Sequence, residues 1–336
     1  DASEVMPGGV NSSTRVNKAL GIPMYVSHAE GSHISDIEGR SFIDLCCGHG
    51  AALLGHRHPA ITEALHTADS IGCPSVYETP YHEELARMVC QSVPSADRVR
   101  FCSSGSEATL HLLRACRAFT GRDKIIRIEG HFHGYHELIY IGGHPPADEI
   151  GRNQAEPYIE SPGIPHEFAR LIVPIPHNDI DALERAINRY GDETAAVIME
   201  PINYNQGCIV ADRDYMELVR RQASAHNIAL IYDETLSAFR TGPDCAQGFY
   251  GVTPDLCVLG KAVANGGAMV VIAGTGEVLD QVGPLGEVAQ SGTFTGNPLA
   301  VATALASINE VCKPGFYDHI YAASERMVSG LSGLFD

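Results

Sequence analysis

The sequence predicts an α/β fold in which helices cover a mostly parallel β-sheet. Short apolar runs of strand length recur along the chain, and segments with helical patterns separate them. The predicted strands are residues 99–102, 125–129, 195–199, 229–232, 256–259 and 269–273. The predicted helices are residues 60–70, 82–92, 179–190 and 214–226.

The amino-terminal segment differs from this pattern. Residues 25–44 alternate apolar and polar side chains around an Asp36-Ile37-Glu38-Gly39 turn, which predicts a hairpin or a small meander. Farther along, residues 142–165 are rich in glycine, proline and acidic residues and show no periodicity. A loop of this length in a compact domain is usually a lid or a binding loop.

The composition restricts partners and compartment. The chain has 336 residues with 41 acidic and 23 basic side chains, so its net charge is −18. We expect no nucleic-acid partner, because binding nucleic acid needs a basic patch. No bilayer-spanning apolar run or signal segment is visible, which predicts a soluble protein that binds no membrane. Ten cysteines without a C-x-x-C pair favour reduced thiols and a reducing compartment, either the cytoplasm, which we expect, or an organelle stroma.

Two polar residues follow apolar runs that predict buried strands. Asp233 follows the run at residues 229–232, and Lys261 follows the run at residues 256–260. Because ligands of open α/β sheets bind at the carboxyl ends of the strands, we expect both side chains to face one crevice. Burial lowers the pKa of a lysine and makes its amine nucleophilic near neutral pH. A helix-capping aspartate and a lysine that reaches solvent are the structural alternatives.

A turn of small residues follows the first predicted strand of the sheet. Ser104 fits the N-cap of a helix, and Glu107 at the third helical position would complete a capping box. The N–H groups and positive dipole at such a helix N-terminus can bind a phosphate. An amine, a carboxylate and a phosphate cradle are the parts that hold pyridoxal phosphate as a Schiff base. A capped helix that binds nothing is the alternative.

Histidines and paired carboxylates suggest metal chemistry instead. His131-Phe132-His133-Gly134-Tyr135-His136 and His56-Arg57-His58 look like metal clusters, and Asp233-Glu234 could hold magnesium. However, Gly134 indicates a turn, which would not keep the histidines on one face of a strand. No H-E-x-x-H motif and no cysteines at zinc spacing accompany them. We therefore expect no metal, and a metal-dependent hydrolase stays a minor alternative.

Taken in order, these motifs resemble class III pyridoxal-phosphate aminotransferases of fold type I, most closely the glutamate-1-semialdehyde aminomutase-like branch. The resemblance runs almost end to end, through residues 7–15, 55–59, 100–108, 119–125, 200–201, 233–240, 254–261 and 292–298. It implies a mostly parallel sheet in a large domain, together with a smaller α/β domain formed by both chain ends.

The resemblance also implies a division of the chain into three parts. Residues 1–58 would form an amino-terminal segment that contains the hairpin and contributes to the small domain and the active site. Residues 59–300 would form the large cofactor-binding domain, and residues 301–336 would begin the carboxy-terminal small domain. Because the chain starts without methionine and stops within an amphipathic stretch, we expect further segments at both ends.

Individual roles follow from the same resemblance. Lys261 matches the lysine that forms the Schiff base and moves the substrate proton, and Asp233 matches the partner of the pyridine nitrogen. The other residues that it implies for cofactor binding are Ser104, Gly105, Ser106, Phe132, His133, Asn205, Gly292 and Thr293. Among these, Gly105 and Ser106 match the phosphate cup, and Phe132 matches an aromatic residue that stacks on the ring. Asn205 matches a residue near the ring hydroxyl.

The resemblance further implies a homodimer and a set of substrate residues. Thr293 matches a phosphate ligand that is donated by the neighbouring subunit. Arg15 matches an arginine that binds the substrate carboxylate, and His49 and Glu200 complete the expected substrate side. The aminomutase usually has tryptophan at His49 and tyrosine at Phe132, so this pocket looks more like that of D-phenylglycine aminotransferase.

The activity implied is transfer of an amino group from an amino acid donor to a keto or aldehyde acceptor, through pyridoxamine phosphate. An intramolecular 2,1-aminomutase is the alternative, and it would need the loop at residues 142–165 to be closed. A catalytically inactive relative that serves as a binding protein is a further alternative. The sequence does not specify the donor, the acceptor or the stereochemistry.

Overall fold

The structure is a computed structural model that describes residues 2–17, 21–72, 74, 76–148 and 157–334. Its strands are β1 (Val16–Asn17), β2 (Ile22–Pro23), β3 (Val26–Glu30), β4 (His33–Asp36), β5 (Ser41–Ile43), β6 (Arg98–Cys102), β7 (Lys124–Ile128), β8 (Ile172–Ile175), β9 (Thr194–Met199), β10 (Ile202–Asn203), β11 (Ile209–Val210), β12 (Ala229–Glu234), β13 (Leu256–Leu259) and β14 (Val270–Gly274). Its α-helices are α1 (Cys47–Gly50), α2 (Pro59–Asp69), α3 (Pro80–Ser92), α4 (Gly105–Thr120), α5 (Ile180–Tyr190), α6 (Arg213–Ala225), α7 (Cys245–Tyr250), α8 (Gly276–Leu279), α9 (Pro298–Val311) and α10 (Phe316–Ser332).

A seven-stranded sheet in the order β6-β14-β13-β12-β9-β7-β8 is the centre of the molecule. Strand β14 runs antiparallel to both of its neighbours, and the other pairs are parallel. The α/β class with a mostly parallel sheet is therefore confirmed. All six predicted strands form, but the sequence reading missed β8, whose apolar run is interrupted by Pro174.

Helix α5 illustrates why the predicted helices form where they do. The Asp179 carboxylate accepts a hydrogen bond from the Ala182 N–H at 2.8 Å and caps the first turn. Gly191 follows the last helical residue. The buried side chains Ala182, Leu183, Ala186 and Ile187 recur at helical spacing, so that one face of the helix packs on the sheet.

Both faces of the central sheet are buried, and strand β12 contributes to both. Leu230 and Tyr232 pack in the cluster on one face, whereas Ala229 and Ile231 pack in the cluster on the other. Side chains alternate between the faces of a strand. The alternation therefore directs the two carboxylates that end β12 to opposite sides of the sheet.

The amino-terminal strands form a separate antiparallel sheet in the order β3-β4-β5, which confirms the predicted meander. Its turn is held by Asp36, whose Oδ1 accepts hydrogen bonds from the N–H groups of Glu38 at 3.0 Å and Arg40 at 2.9 Å. At the other end, Val301, Ala304 and Ile308 of α9 lie in the main core, whereas α10 has no buried residue.

The predicted lid loop is described only at its two ends, because residues 149–156 lie outside the described part of the chain. The ends are joined to each other. The Gly142 N–H donates to the Tyr158 carbonyl at 2.7 Å, and the Gly143 N–H donates to Glu160 Oε1 at 2.7 Å. Within residues 2–17, 21–72, 76–148 and 157–334, no helix has the length and apolar character that crossing a bilayer requires.

Candidate active site

Asp233 and Lys261 line one cavity of about 310 Å³ at the carboxyl edge of the central sheet. Strands β12 and β13 are parallel neighbours, with Asp233 opposite Val258 and Glu234 opposite Leu259. Lys261 follows the end of β13, so both functional groups leave the sheet at the same edge. The crevice outside this edge is where open α/β sheets bind ligands.

The backbone at Lys261 adopts a conformation that is rare for a residue with a side chain. Its φ angle is +49°, in the left-handed region, and Lys261 begins a short 3₁₀ turn to Ala264. Two distant contacts hold this turn: Ser307 Oγ donates to the Ala262 carbonyl at 2.8 Å, and Asn265 Oδ1 accepts from the Leu54 N–H at 2.8 Å. Burial lowers the pKa of the Lys261 amine, although the carboxylates of Asp233 and Glu200 oppose the shift.

Asp233 is buried and is held in its charged form by hydrogen bonds. His133 Nδ1 lies 2.8 Å from Asp233 Oδ2, and the Thr235 N–H donates to Oδ1 at 3.0 Å. Burial by itself would raise the pKa of Asp233, but these donors outweigh it and lower the pKa. The result is an anion in the cavity wall that can bond a protonated ring nitrogen.

Glu200 and Asn205 form a second polar group in the same cavity. Glu200 Oε1 accepts hydrogen bonds from the Phe132 N–H at 2.7 Å and from Asn205 Nδ2 at 2.9 Å. Burial and the nearby charge of Asp233 raise the pKa of Glu200 to about 7. At neutral pH this carboxyl group is therefore partly protonated, whereas Asp233 is ionised.

The helix that follows β6 forms one wall of the cavity. Ser104 is its N-cap and accepts the Glu107 N–H at 3.3 Å, as predicted. The expected capping box is wrong in one detail, because the Glu107 carboxylate accepts from the Ser103 N–H at 2.8 Å rather than from Ser104. Gly105 and Ser106 of α4 line the cavity, whereas Ser104 does not.

Gly134 allows the loop after β7 to approach this helix closely. Its φ angle is +112°, and a Cβ atom there would lie 2.7 Å from Ser106 Oγ. The loop is further fixed by Arg127, which is fully buried and donates to the carbonyls of His131, Ile139 and Ile141. Phe132 and His133 are thereby positioned in the cavity wall.

These residues fit the three reactive parts of pyridoxal phosphate. Lys261 supplies an amine for the aldehyde, Asp233 supplies an anion for the ring nitrogen, and the N-terminus of α4 supplies N–H groups for the phosphate. The buried Nε2 of His133 and Oε2 of Glu200 have no hydrogen-bond partners among the described residues. A polar ligand could therefore use the free hydrogen-bonding capacity near the cavity wall.

Five residues implied by the resemblance do not line this cavity within the single chain. They are Ser104, Arg15, His49, Gly292 and Thr293, and all five are exposed. Conversely, the cavity includes lining residues that were not predicted from the sequence to belong to the site: Ala51, Ser103, Gly134, Thr235, Leu236, Gly266, Gly267, Ala268, Met269 and Val270. The glycine pair shortly after Lys261 is the one sequence signal that could have indicated part of this wall.

The histidines are used in side-chain pairs. His133 pairs with Asp233, and His131 Nε2 lies 3.0 Å from His177 Nδ1. Among the residues placed by the structure, no three His, Cys, Asp or Glu side chains are grouped so as to hold a metal ion. Asp233 and Glu234 lie on opposite faces of β12, so they do not form the carboxylate pair considered for magnesium.

Comparisons with known proteins identify the family. The model of the class III aminotransferase family matches residues 15–335. The chain is 38% identical over 337 residues to glutamate-1-semialdehyde 2,1-aminomutase 2 of Brevibacillus brevis, covering 99% of this chain and 76% of the relative.

Two solved structures share the fold. An omega-transaminase from Sphaerobacter thermophilus has a TM-score of 0.90 and 30% identity, over 99% of this chain and 76% of the other. A transaminase with bound pyridoxal phosphate has a TM-score of 0.87 and 28% identity, over 99% of this chain and 78% of the other. The chain therefore belongs to the class III aminotransferases, and it is an enzyme of fold type I whose cofactor is pyridoxal phosphate.

Proposed function

We propose that the enzyme transfers an amino group between an amino acid donor and a keto or aldehyde acceptor. The observation that carries this proposal is that Lys261, Asp233 and the N-terminus of α4 meet at one cavity. When bound, pyridoxal phosphate supplies an electron sink for the bond that breaks at the substrate carbon. Lys261 holds the cofactor aldehyde and moves the proton at that carbon. Asp233 keeps the ring nitrogen protonated.

The remaining cavity residues orient the cofactor. Gly105 and Ser106, with Ser104 as the helix cap, would hold the phosphate, Phe132 would support the face of the ring, and Asn205 would hold the ring hydroxyl. His133 orients the Asp233 carboxylate, to which it is hydrogen-bonded at 2.8 Å. On the substrate side, we assign Arg15 to a substrate carboxylate, with His49 and Glu200 beside it.

We also infer a homodimer, in which Gly292 and Thr293 contact the cofactor of the neighbouring subunit. Both residues are exposed and lie outside the cavity of their own chain, which supports this arrangement. The division into parts 1–58, 59–300 and 301–336 stays a prediction, as does a cytoplasmic location. We expect Thr293→Ala to leave the fold and the dimer intact but to lower the affinity for the cofactor. This result would support a site shared between the two subunits.

An intramolecular 2,1-aminomutase is the second candidate, because the Brevibacillus brevis relative carries that name at 38% identity. The two activities differ in their need for a second substrate. An aminomutase converts its substrate without any added amino acid or keto acid, whereas a transferase stops after one turnover per active site. Single-substrate assays with a panel of amino acids, followed by addition of a keto acid, distinguish them.

The cofactor chemistry itself is tested on the purified protein. We expect the protein to bind pyridoxal phosphate and turn yellow, and borohydride to bleach it. The reduced cofactor mass should then be found on the peptide that contains Lys261. A protein that binds no pyridoxal phosphate, or one labelled at another lysine, would contradict the proposal.

A further inference from the structure

The two carboxyl oxygens of Glu200 have different surroundings. Oε1 accepts the two hydrogen bonds from Phe132 and Asn205, whereas Oε2 is buried and has no partner among the residues that the structure describes. Glu200 is only 3% exposed and lines the cavity. Leaving a buried polar atom unpaired is unfavourable. Oε2 is therefore available to an atom of a molecule bound in the cavity.

The charged groups around Glu200 favour its neutral form. Asp233 on the neighbouring strand is an anion and raises the pKa of Glu200, in the same direction as burial. Lys261 opposes this shift, and Arg127 also lies near enough for Glu200 to raise the arginine pKa. Because two N–H donors already occupy Oε1, the proton of the neutral acid resides on Oε2.

His131 fixes the backbone that carries this acid. The Glu200 N–H donates to His131 Nδ1 at 2.9 Å, so His131 Nδ1 is an acceptor and Nε2 bears the proton. That Nε2 proton then points to His177 Nδ1 at 3.0 Å. Burial lowers the pKa of His131 well below its usual range, so the ring stays neutral. Glu200 is thus held at its backbone N–H and at Oε1, and only Oε2 can bond a molecule in the cavity.

We propose that Glu200 works as a neutral acid whose Oε2–H donates a hydrogen bond to an electron-rich oxygen of the molecule bound in the cavity. This inference rests on the proposed function, because it requires an oxygen-bearing ligand beside Asp233 and Lys261. The oxygen belongs to the cofactor ring or to a substrate carboxylate. Both have the same acceptor chemistry, and the experiment separates them.

The test compares Glu200→Gln with Glu234→Gln in the holoenzyme. At position 200, glutamine keeps a carbonyl oxygen at the Oε1 position and a hydrogen-bond donor at the Oε2 position, but it cannot ionise. Glu234 is the matched control, because it is a fully buried carboxyl group whose pKa is also raised to about 7, yet it does not line the cavity. The measurement is the absorption spectrum of the bound cofactor across pH 5.5 to 9, roughly the range in which a group with a pKa of about 7 titrates.

For a ring-oxygen acceptor, we expect a spectral transition near pH 7 in the wild type and in Glu234→Gln, but not in Glu200→Gln. For a substrate-carboxylate acceptor, we expect the spectra of the wild type and both variants to show the same pH dependence. The affinity for acetate should then depend on pH in the wild type and in Glu234→Gln, but not in Glu200→Gln. If both the spectra and acetate binding of Glu200→Gln match those of the wild type, the proposal is overturned.

Two further measurements keep the result interpretable. Borohydride labelling at Lys261 reports separately whether the cofactor is bound as proposed, so a failure of the proposed function is distinguished from a failure of the role of Glu200. If Glu200→Gln does not fold, Glu200→Asp replaces it. The shorter acid should move the transition to a different pH, and an unchanged midpoint in both assays would overturn the proposal.

Discussion

Asp233 and Glu234 are consecutive carboxyl residues on β12, and they lie on opposite faces of the same sheet. Asp233 lines the cavity, and donors from His133 and Thr235 lower its pKa. Glu234 packs against α7, and burial raises its pKa to about 7 although three donors bond it. Burial is nearly equal at the two positions, so it does not separate a functional carboxylate from a structural one.

The difference lies in what each carboxylate contacts. The partners of Glu234 are Ser237, Ala246 and Gln247, and all three are buried protein residues. Asp233 instead shares its cavity with an amine, Lys261, that follows the adjacent strand. Substitutions at Asp233 and Lys261 should therefore abolish turnover while the fold remains stable. Substitutions at Glu234 should instead lower the stability of the protein before they affect turnover.

Lys261→Ala should have the largest effect on the cavity side. Turnover should fall by roughly 10⁴-fold, the upper end for loss of a proton-transferring group. Stability should change little, because alanine retains the Cβ atom and Ser307 and Asn265 still hold the turn. Steady-state turnover and denaturant unfolding measure the two effects. Lys313→Ala, at an exposed lysine paired with Glu310, is the control that should leave both unchanged.

Asp233→Asn should reduce turnover by roughly 10²–10³-fold, because the pyridine nitrogen loses its anionic partner. The fold should remain intact, since His133 can change its tautomer and accept a hydrogen bond from the new amide. The measurement is kcat at saturating substrate, together with circular dichroism. Asp233→Glu keeps the negative charge on a side chain that is one methylene longer, and it should retain more activity than Asp233→Asn. Equal activity in the two variants would contradict an electrostatic role.

The sequence predicts this edge of the sheet well because its signals are local. Apolar runs place β12 and β13, and their ends place Asp233 and Lys261. The left-handed φ angle of Lys261 and the contact of His131 with His177 could not be predicted, because they depend on packing between distant segments.

The substrate side is even less accessible to local reasoning. Arg15 and His49 are exposed in the single chain and lie outside the cavity lining, so their proposed roles on the substrate side do not follow from their local sequence. Ala51 enters the cavity wall from the amino-terminal segment, and the Gly50 carbonyl beside it accepts a hydrogen bond from Arg240 at 2.5 Å. No spacing of residues in the sequence indicates that contact.

Glu234→Gln should show the reverse of Asp233→Asn. The new amide NH2 would face a hydrogen-bond donor, such as Nε2 of Gln247, which donates to Glu234 Oε1 in the wild type. Gln247 cannot turn its amide around to accept instead, because its Oε1 accepts the Ser95 N–H at 3.0 Å. The free energy of unfolding should fall by about 1–3 kcal/mol, the cost of an unmet buried polar group. Turnover per folded molecule should stay unchanged. A stable variant with reduced kcat would show that the two faces of β12 are not functionally separate.

Ser237→Ala should have the smallest effect, and its pH dependence is diagnostic. The Ser237 hydroxyl donates to Glu234 Oε2 at 3.0 Å, so its removal should lower the free energy of unfolding by about 1 kcal/mol. A carboxyl group whose pKa is raised by folding contributes stability below its unfolded pKa, and this contribution is lost as pH rises through the folded value of about 7. Loss of a donor to the charged form raises that pKa further, so the loss of unfolding free energy in Ser237→Ala relative to the wild type should grow from acidic pH to above neutral pH.

Denaturant unfolding of both proteins on either side of pH 7 measures this difference, and the contributions of the other titrating groups cancel in it. A deficit that is equal at both pH values would mean that Glu234 does not ionise in this range.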